Sequence, residues 1–175
     1  MLKGKNVILR PVREMDLPFL VERNAEFEYR GEWYPHHYYS EPTVRKEFEK
    51  DGFWSDDHGM LFMTDPESGD ILGEIHYFKT VRYLSEIEIA YRTYDLSSRR
   101  KGITSESVRL LTRYLFESMP VHRIRLCIAT DNAASRGVAE KAGYRHEGTQ
   151  RSAWPNNGRV YDMELYAITI GDVLG

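Results

Sequence analysis

The stretch Glu86–Phe116, EIEIAYRTYDLSSRRKGITSESVRLLTRYLF, joins an alternating segment to a helical one. From Ser85 to Tyr91 every second residue is apolar, which predicts a half-buried strand. The two faces of this strand carry Ile87, Ile89 and Tyr91 on one side and Glu86, Glu88 and Ala90 on the other. In SESVRLLTRYLFESM, Val108, Leu111 and Leu115 recur at helical spacing and predict an amphipathic helix.

The chain after this unit repeats the order of strand and helix. Arg123–Ala129 (RIRLCIA) reads as a strand and Ala133–Lys141 as a helix that Gly143 terminates. Two further strands flank the sequence PNNG, whose Asn-Gly pair is a strong hairpin signal. Strands separated by helices predict parallel pairing in this half of the chain.

The chain before Glu86 predicts two helices and then an antiparallel meander. Asn6–Pro11 reads as a strand, Met15–Asn24 as a short helix and Thr43–Lys50 as a second helix. The β-like runs His58–Thr64 and Ile71–Phe78 are joined by the turn-forming sequence DPESGD. The fold class predicted from these patterns is mixed α/β, in one domain of 175 residues.

Composition excludes several classes of function. The 24 basic and 27 acidic residues give a net charge of -3, which provides no electrostatic footprint for nucleic acid. No apolar stretch is long enough for a membrane span, and the N-terminus lacks the apolar core of a signal peptide. The single cysteine, Cys127, excludes an intrachain disulfide and suits a reducing compartment. We therefore expect a cytoplasmic protein without nucleic-acid or membrane partners.

Two loops that lead into helices are candidates for binding an anionic ligand. Arg99–Thr104 (RRKGIT) offers basic side chains, a glycine and free N–H groups at a helix start, which together suit phosphate. Asn132 and Ser135 follow a strand, at the place where open α/β sheets bind ligands. The alternatives are a basic helix entry for the first loop, and an N-cap with an ordinary first-turn serine for the second.

These two stretches resemble the acetyl-CoA segments of the GNAT superfamily. The first resembles the pattern Arg/Gln-x-x-Gly-x-Gly/Ala, and DNAASRGVAEKAGY (131–144) resembles Asn-x-x-Ser/Ala followed by Glu-Lys-x-Gly-Phe/Tyr. The sequence NVILRPVREMDLPFL looks like the family's first strand and helix. The sequence NNGRVYDMELYAI is similar to the last strand of the branch that acetylates ribosomal-protein N-termini (RimJ/RimL-like) and of the polyamine branch.

The resemblance implies a single GNAT domain over residues 1–175, with a mixed, mostly antiparallel, twisted sheet of about seven strands and about four flanking helices. It also implies an N-acetyltransferase that moves an acetyl group from acetyl-CoA to a primary amine. None of the six histidines has the spacing of a metal site, so we expect no metal. The acceptor stays open between a peptide N-terminus, a polyamine, an amino acid and an aminoglycoside. The alternative is a non-catalytic CoA-binding or interaction module with the same fold.

Site residues follow from the same resemblance. The backbone of the loop would hold the pyrophosphate and Asn132 the pantetheine arm, although Thr104 stands where the family usually has Gly or Ala. The residues expected to bind the cosubstrate are Ile89, Tyr91, Arg99, Arg100, Lys101, Gly102, Ile103, Thr104, Asn132 and Ser135.

Glu88 matches a family glutamate and is the candidate base, unless it lies on a solvated face with Glu86. Ala139 replaces a tyrosine that serves many relatives as the acid, so Ser135 becomes the candidate partner of the leaving thiolate. Trp33, Tyr34 and Tyr38 are expected to line the acceptor pocket; the alternatives for them are the core and a homodimer interface.

Overall fold

The computed structural model describes residues 1–25, 31–35, 40–81, 83–94 and 101–175. Its strands are β1 (Leu2–Lys3), β2 (Ile8–Pro11), β3 (His58–Thr64), β4 (Ile71–Lys79), β5 (Glu86–Thr93), β6 (Arg123–Ala129), β7 (Arg145–Asn156) and β8 (Arg159–Thr169). Its helices are α1 (Leu17–Ala25), α2 (Glu41–Asp51), α3 (Ile103–Ser118), α4 (Ala133–Lys141) and α5 (Ile170–Leu174), and a 3-10 turn, Glu14–Asp16, precedes α1.

The strands form one sheet in the order β1-β2-β3-β4-β5-β6-β8-β7. Neighbours pair antiparallel, except that β5 and β6 pair parallel. This confirms the predicted mixed α/β fold, the antiparallel meander of the middle strands and the parallel pairing of β5 with β6. The strands β6 and β7, which α4 separates along the chain, do not pair, because β8 lies between them. Within the described residues, two elements were not expected from the sequence: the short strand β1 and the C-terminal helix α5.

The two faces of the sheet carry separate cores. One face, called here the first face, packs Ile87, Ile89 and their neighbours against α3 and α4, where Leu111 and Leu115 are fully buried. The other, called the second face, packs Phe62 and Met60 against α1 and α2. The alternation of side chains along each strand assigns neighbouring residues to opposite faces.

The sheet divides where β5 and β6 diverge. Their pairing covers three residue pairs and ends at Glu88 opposite Arg125, although β5 runs on to Thr93 and β6 to Ala129. Because the strands are parallel, both lead toward the same end of the sheet. The result is a wedge-shaped gap between a first arm (β1–β5) and a second arm (β6–β8), with Glu88 at its vertex.

The hairpin between β7 and β8 turns at Asn157 and Gly158, which have positive φ values of 51° and 72°. Two successive residues of positive φ are what a two-residue hairpin of the I′ type requires, so the Asn-Gly prediction is confirmed. Among the helices of the described residues, none combines the length and apolar character needed to cross a membrane.

Candidate functional site

Helix α3 begins at the open end of the first arm without a capping side chain from its N-cap residue. That residue is Gly102, in the left-handed conformation with φ of 79°. A Cβ built on Gly102 would meet no heavy atom of the described residues within 4 Å outside its chain neighbours, so those residues leave room beside it. The first-turn N–H groups can therefore approach an anion closely. Lys101 is exposed and Thr104 is half-buried in this turn, while Arg99 and Arg100 lie outside the described residues.

Helix α4 begins at the open end of the second arm. Its N-cap is Asn132, whose side-chain oxygen accepts a hydrogen bond of 3.1 Å from the Ser135 backbone N–H. The capping role that the sequence left open for Asn132 is therefore present. This bond fixes the first turn of α4, so that Ser135 has a defined position beside the gap.

A pair of hydroxyl groups joins the two arms on the first face. Tyr91 Oη on β5 lies 2.6 Å from Ser135 Oγ on α4. Burial raises the pKa of Tyr91 to about 12, so its phenol stays protonated at neutral pH. Tyr91 can therefore donate to Ser135 Oγ and leave the serine proton for another acceptor.

Ala139 lies away from this pair, in the hydrophobic core. Its residue is fully buried, with 0% exposure, and belongs to the cluster that α3 and α4 form against the first face. A tyrosine at this position would have to displace packed side chains, and overpacking destabilises a core. Substituting a phenol at position 139 is therefore not expected to restore an acid.

Glu88 lies at the vertex of the gap, on the second face. Its Oε2 accepts a hydrogen bond of 3.0 Å from Arg125 Nε, across the last residue pair of the β5–β6 ladder. Glu86, two residues earlier, is bound by Arg123 at 2.6 Å and by Arg125 at 3.2 Å, and is 8% exposed. The alternative of a solvated glutamate face is thus wrong, because an ion-pair network covers these strands.

The environment of Glu88 makes it more basic than an ordinary carboxylate. Burial raises its pKa, and the Arg125 charge opposes this effect without cancelling it. Burial and the nearby Glu88 also raise the pKa of Cys127 to about 12, so this cysteine remains a thiol rather than a nucleophilic thiolate. Of the two groups, Glu88 is the one suited to accept a proton near neutral pH.

A second buried carboxylate, Glu74, did not emerge from the sequence. It lies on the second face of β4 with 1% exposure and pairs with Arg92 of β5 at 2.9 Å. Burial raises its pKa, but contacts with His76, Arg92 and Tyr94 outweigh burial and lower the pKa to about 2. The signal that could have found it is a glutamate within the otherwise apolar run ILGEI.

Two of the three aromatic residues expected at the acceptor pocket lie at the open end of the gap, on the second face. Tyr34 donates a hydrogen bond of 3.1 Å to Glu74, and the ring of Trp33 packs edge-on against Tyr161 of β8 at 5.4 Å. Tyr38 lies outside the described residues. No group of three or more potential metal ligands occurs among the residues that the structure describes.

The chain is similar over almost its whole length to several acetyltransferases. A probable N-acetyltransferase of Bacillus subtilis (strain 168), YjcK, is 30% identical over 181 residues, which cover 96% of each chain. The structure of spermidine N-acetyltransferase from Vibrio cholerae, in complex with CoA and spermine, superposes with a TM-score of 0.83 at 19% identity, covering 98% of this chain and 100% of that one.

The structure of RimL, a ribosomal L7/L12 alpha-N-protein acetyltransferase in complex with CoA, superposes with a TM-score of 0.76 at 22% identity, covering 97% of both chains. At these identities the two structures establish the fold. The family described as acetyltransferase (GNAT) domain matches residues 6–145, which contain the gap, Glu88 and the starts of α3 and α4. The chain is therefore a member of the GNAT acetyltransferase family.

Proposed function

We propose that this protein transfers the acetyl group of acetyl-CoA to a primary amine by direct attack of the amine. The observation that carries the proposal is the end of the β5–β6 pairing at Glu88, with helix starts on both arms at the open end. Membership of the family supports acetyl transfer in general. The roles of individual residues and the acceptor class are our inference.

The described residues fit acetyl-CoA as cosubstrate. The start of α3, where Gly102 has no side chain to cap the helix and the described residues leave room beside it, suits the pyrophosphate, and Lys101 adds a positive charge. Ile89 and Tyr91 lie on β5 beyond the last pair of the β5–β6 ladder, where the backbone on the side of the gap pairs with no described strand. Acetyl-CoA supplies an activated thioester, and backbone N–H groups of this unpaired edge are suited to stabilise the developing oxyanion.

Proton transfers fall to residues on opposite faces of the sheet. On the second face, Glu88 accepts the proton of the attacking amine, directly or through water, because burial has raised its pKa. On the first face, Ser135 donates a hydrogen bond to the leaving thiolate, which takes its proton from water, and Tyr91 orients the serine hydroxyl from 2.6 Å. Tyr91 itself is too weak an acid to protonate a thiolate, so its part is to position Ser135.

The acceptor is a protein N-terminus or a small-molecule amine. The similar structures include an enzyme named for spermidine and one named for ribosomal L7/L12. Because the last strand is similar to that of the ribosomal-protein branch and to that of the polyamine branch, a peptide N-terminus and a polyamine are the first acceptors to test. Amino acids and aminoglycosides complete the panel.

The test is a turnover assay that measures both products. Purified protein is incubated with acetyl-CoA and each amine in turn. Free thiol is then quantified, and acetylation of the acceptor is measured by mass spectrometry. We expect thiol release and acetylated amine in equal amounts for at least one acceptor class. Thiol without acetylated amine would indicate thioesterase leakage. Acetyl-CoA binding without either product across the panel would favour the non-catalytic module.

A further inference from the structure

The segment Gly31–Pro35, called here the strap, contacts both arms of the divided sheet at the open end of the gap. Toward the first arm, Tyr34 reaches Glu74 of β4. Toward the second arm, Trp33 packs against Tyr161, and the Glu32 carbonyl accepts a hydrogen bond of 3.0 Å from the Asn156 side chain. Three consecutive residues of one short segment thus bridge strands that do not pair with each other there.

The first-arm anchor of the strap is a buried ion pair. Glu74 accepts from Tyr34 at 3.1 Å and pairs with Arg92 at 2.9 Å through the same oxygen, while its other oxygen accepts from the Tyr94 hydroxyl. Arg92 lies beneath the Tyr34 ring, with its guanidinium carbon 4.3 Å from the ring centroid. The carboxylate stays ionised because its pKa is lowered to about 2. The strap therefore attaches to a permanent charge.

The stability of the hydrophobic core does not require the buried ion pair of Glu74 and Arg92. Apolar residues of similar volume often replace a buried ion pair without loss of stability. Here, two guanidinium nitrogens of Arg92, Nε and Nη1, are buried and have no hydrogen-bond partner among the residues that the structure describes. Arg92 instead has aromatic rings on its faces, Tyr34 at 4.3 Å and Tyr94 at 5.0 Å, and cation–π contacts stabilise a desolvated guanidinium. The arrangement therefore suits the Tyr34 ring in particular.

The anchor and the candidate base share one face of one strand. Arg92, Ala90 and Glu88 alternate along β5 on the second face, and their partners on β4 are Glu74, His76 and Phe78. Arg92 and Glu88 are four positions apart on β5, which is about 13 Å along the strand. An acceptor that reaches Glu88 from the open end would pass beneath the strap. The position of the strap therefore determines how wide the path from the open end to Glu88 is.

We propose that Glu74 and Arg92 are positioning residues that hold the strap across the gap through Tyr34, and that this attachment sets the affinity for the acceptor amine. This inference rests on the proposed function. It places Tyr34 mainly in the anchor, with its hydroxyl bound to Glu74 and one ring face on Arg92. The aromatic surface that Tyr34 presents to the acceptor is then a consequence of this attachment.

The experiment compares two matched variants that each remove one hydroxyl from the same carboxylate. Tyr34→Phe removes the hydrogen bond between the strap and Glu74, whereas Tyr94→Phe removes a bond to Glu74 that does not involve the strap. We expect Tyr34→Phe to raise the KM for the acceptor about tenfold, in line with loss of a hydrogen bond to a charged group, with kcat and the Kd of acetyl-CoA unchanged. Tyr94→Phe should leave all three unchanged.

A second readout does not depend on turnover. Hydrogen–deuterium exchange of residues 31–35 should rise in Tyr34→Phe and stay at the wild-type level in Tyr94→Phe. Equal KM values for Tyr34→Phe and wild type, or equal increases in both variants, would overturn the positioning role. Unchanged exchange in Tyr34→Phe would overturn the anchor itself, even if wild-type protein acetylated no amine in the panel.

Discussion

Replacing Glu88 with glutamine removes the proposed base and leaves its surroundings largely intact. The amide keeps an oxygen that can accept the Arg125 Nε hydrogen bond, and Arg125 keeps Glu86, 3.2 Å from its Nη1. No buried charge loses its last partner. The stability loss should therefore stay well below the about 3–5 kcal/mol that follows when one partner of a buried pair is removed.

The rate should fall far more than the stability. Loss of a general base costs about 10²–10⁴-fold in rate. That factor corresponds to about 2.7–5.5 kcal/mol of activation free energy, at about 1.36 kcal/mol per tenfold. The assay is kcat from thiol release at saturating acetyl-CoA and acceptor, with the Kd of acetyl-CoA measured separately. We expect that Kd to be unchanged, because Glu88 lies on the face opposite α3 and α4.

The pH profile gives an independent check. The base acts only when ionised, so the wild-type rate should fall as pH drops through the pKa of Glu88. Because burial raises this pKa, the fall should begin at a higher pH than for an ordinary carboxyl. Glu88→Gln should lack this acidic limb and keep any limb that the amine acceptor itself produces.

Glu86→Gln is the matched control. It makes the same substitution on the same face two residues earlier, and Arg123 and Arg125 keep Glu147 and Glu88 as partners. Its kcat should remain close to the wild-type value. Equal losses in both variants, or a normal rate for Glu88→Gln, would refute the assignment of Glu88 as the base.

Three further predictions concern the cosubstrate. Acetyl-CoA at 100 times its Kd should stabilise the protein by about 2.7 kcal/mol and raise Tm by about 5–11 °C; an unchanged melting curve would contradict binding. Ser135→Ala should lower kcat with little change in the Kd of acetyl-CoA. Adding Tyr91→Phe to this variant should lower kcat little further, because Tyr91 acts through Ser135. A wild-type kcat for Ser135→Ala would mean that water, and not Ser135, stabilises the thiolate. Gly102→Ala should lower the free energy of unfolding by about 1–2 kcal/mol, because position 102 has a positive φ, and should also weaken acetyl-CoA binding. The control is Gly52→Ala, at a φ of 64° at the end of α2, which should lower stability by a similar amount and leave acetyl-CoA binding normal. Stability is measured as Tm and binding by calorimetry.

Elements whose pattern is local could be predicted from the sequence. The strand Arg123–Ala129 and the helix Ala133–Lys141 have the predicted bounds, because alternation, an N-cap and a terminal glycine define them within a few residues. Helix α3 begins two residues before the predicted SESVRLL segment, because the left-handed Gly102 places Ile103 and Thr104 in its first turn. The ends of helices and strands thus depend on the backbone conformation of single residues such as Gly102.

Contacts between distant strands could not be predicted in the same way. Glu74 meets Arg92 only because β4 and β5 pair in one register, and a shift by one residue would place these side chains on opposite faces. The burial of Glu86 and Glu88 likewise depends on Arg123 and Arg125 of β6, 37 residues further along the chain. Alternation identifies the face of a residue but does not say what covers that face.

The divergence of β5 and β6 has a consequence for hydrogen exchange. It gives the sheet two inner edges in addition to the outer strands β1 and β7. Beyond Glu88, alternate amides of β5 point toward the gap, where none of the described strands pairs with them. The centre of a sheet is normally where amides exchange most slowly, through global unfolding. In this protein, those central amides should exchange through local fluctuations, at rates that a ligand filling the gap would slow.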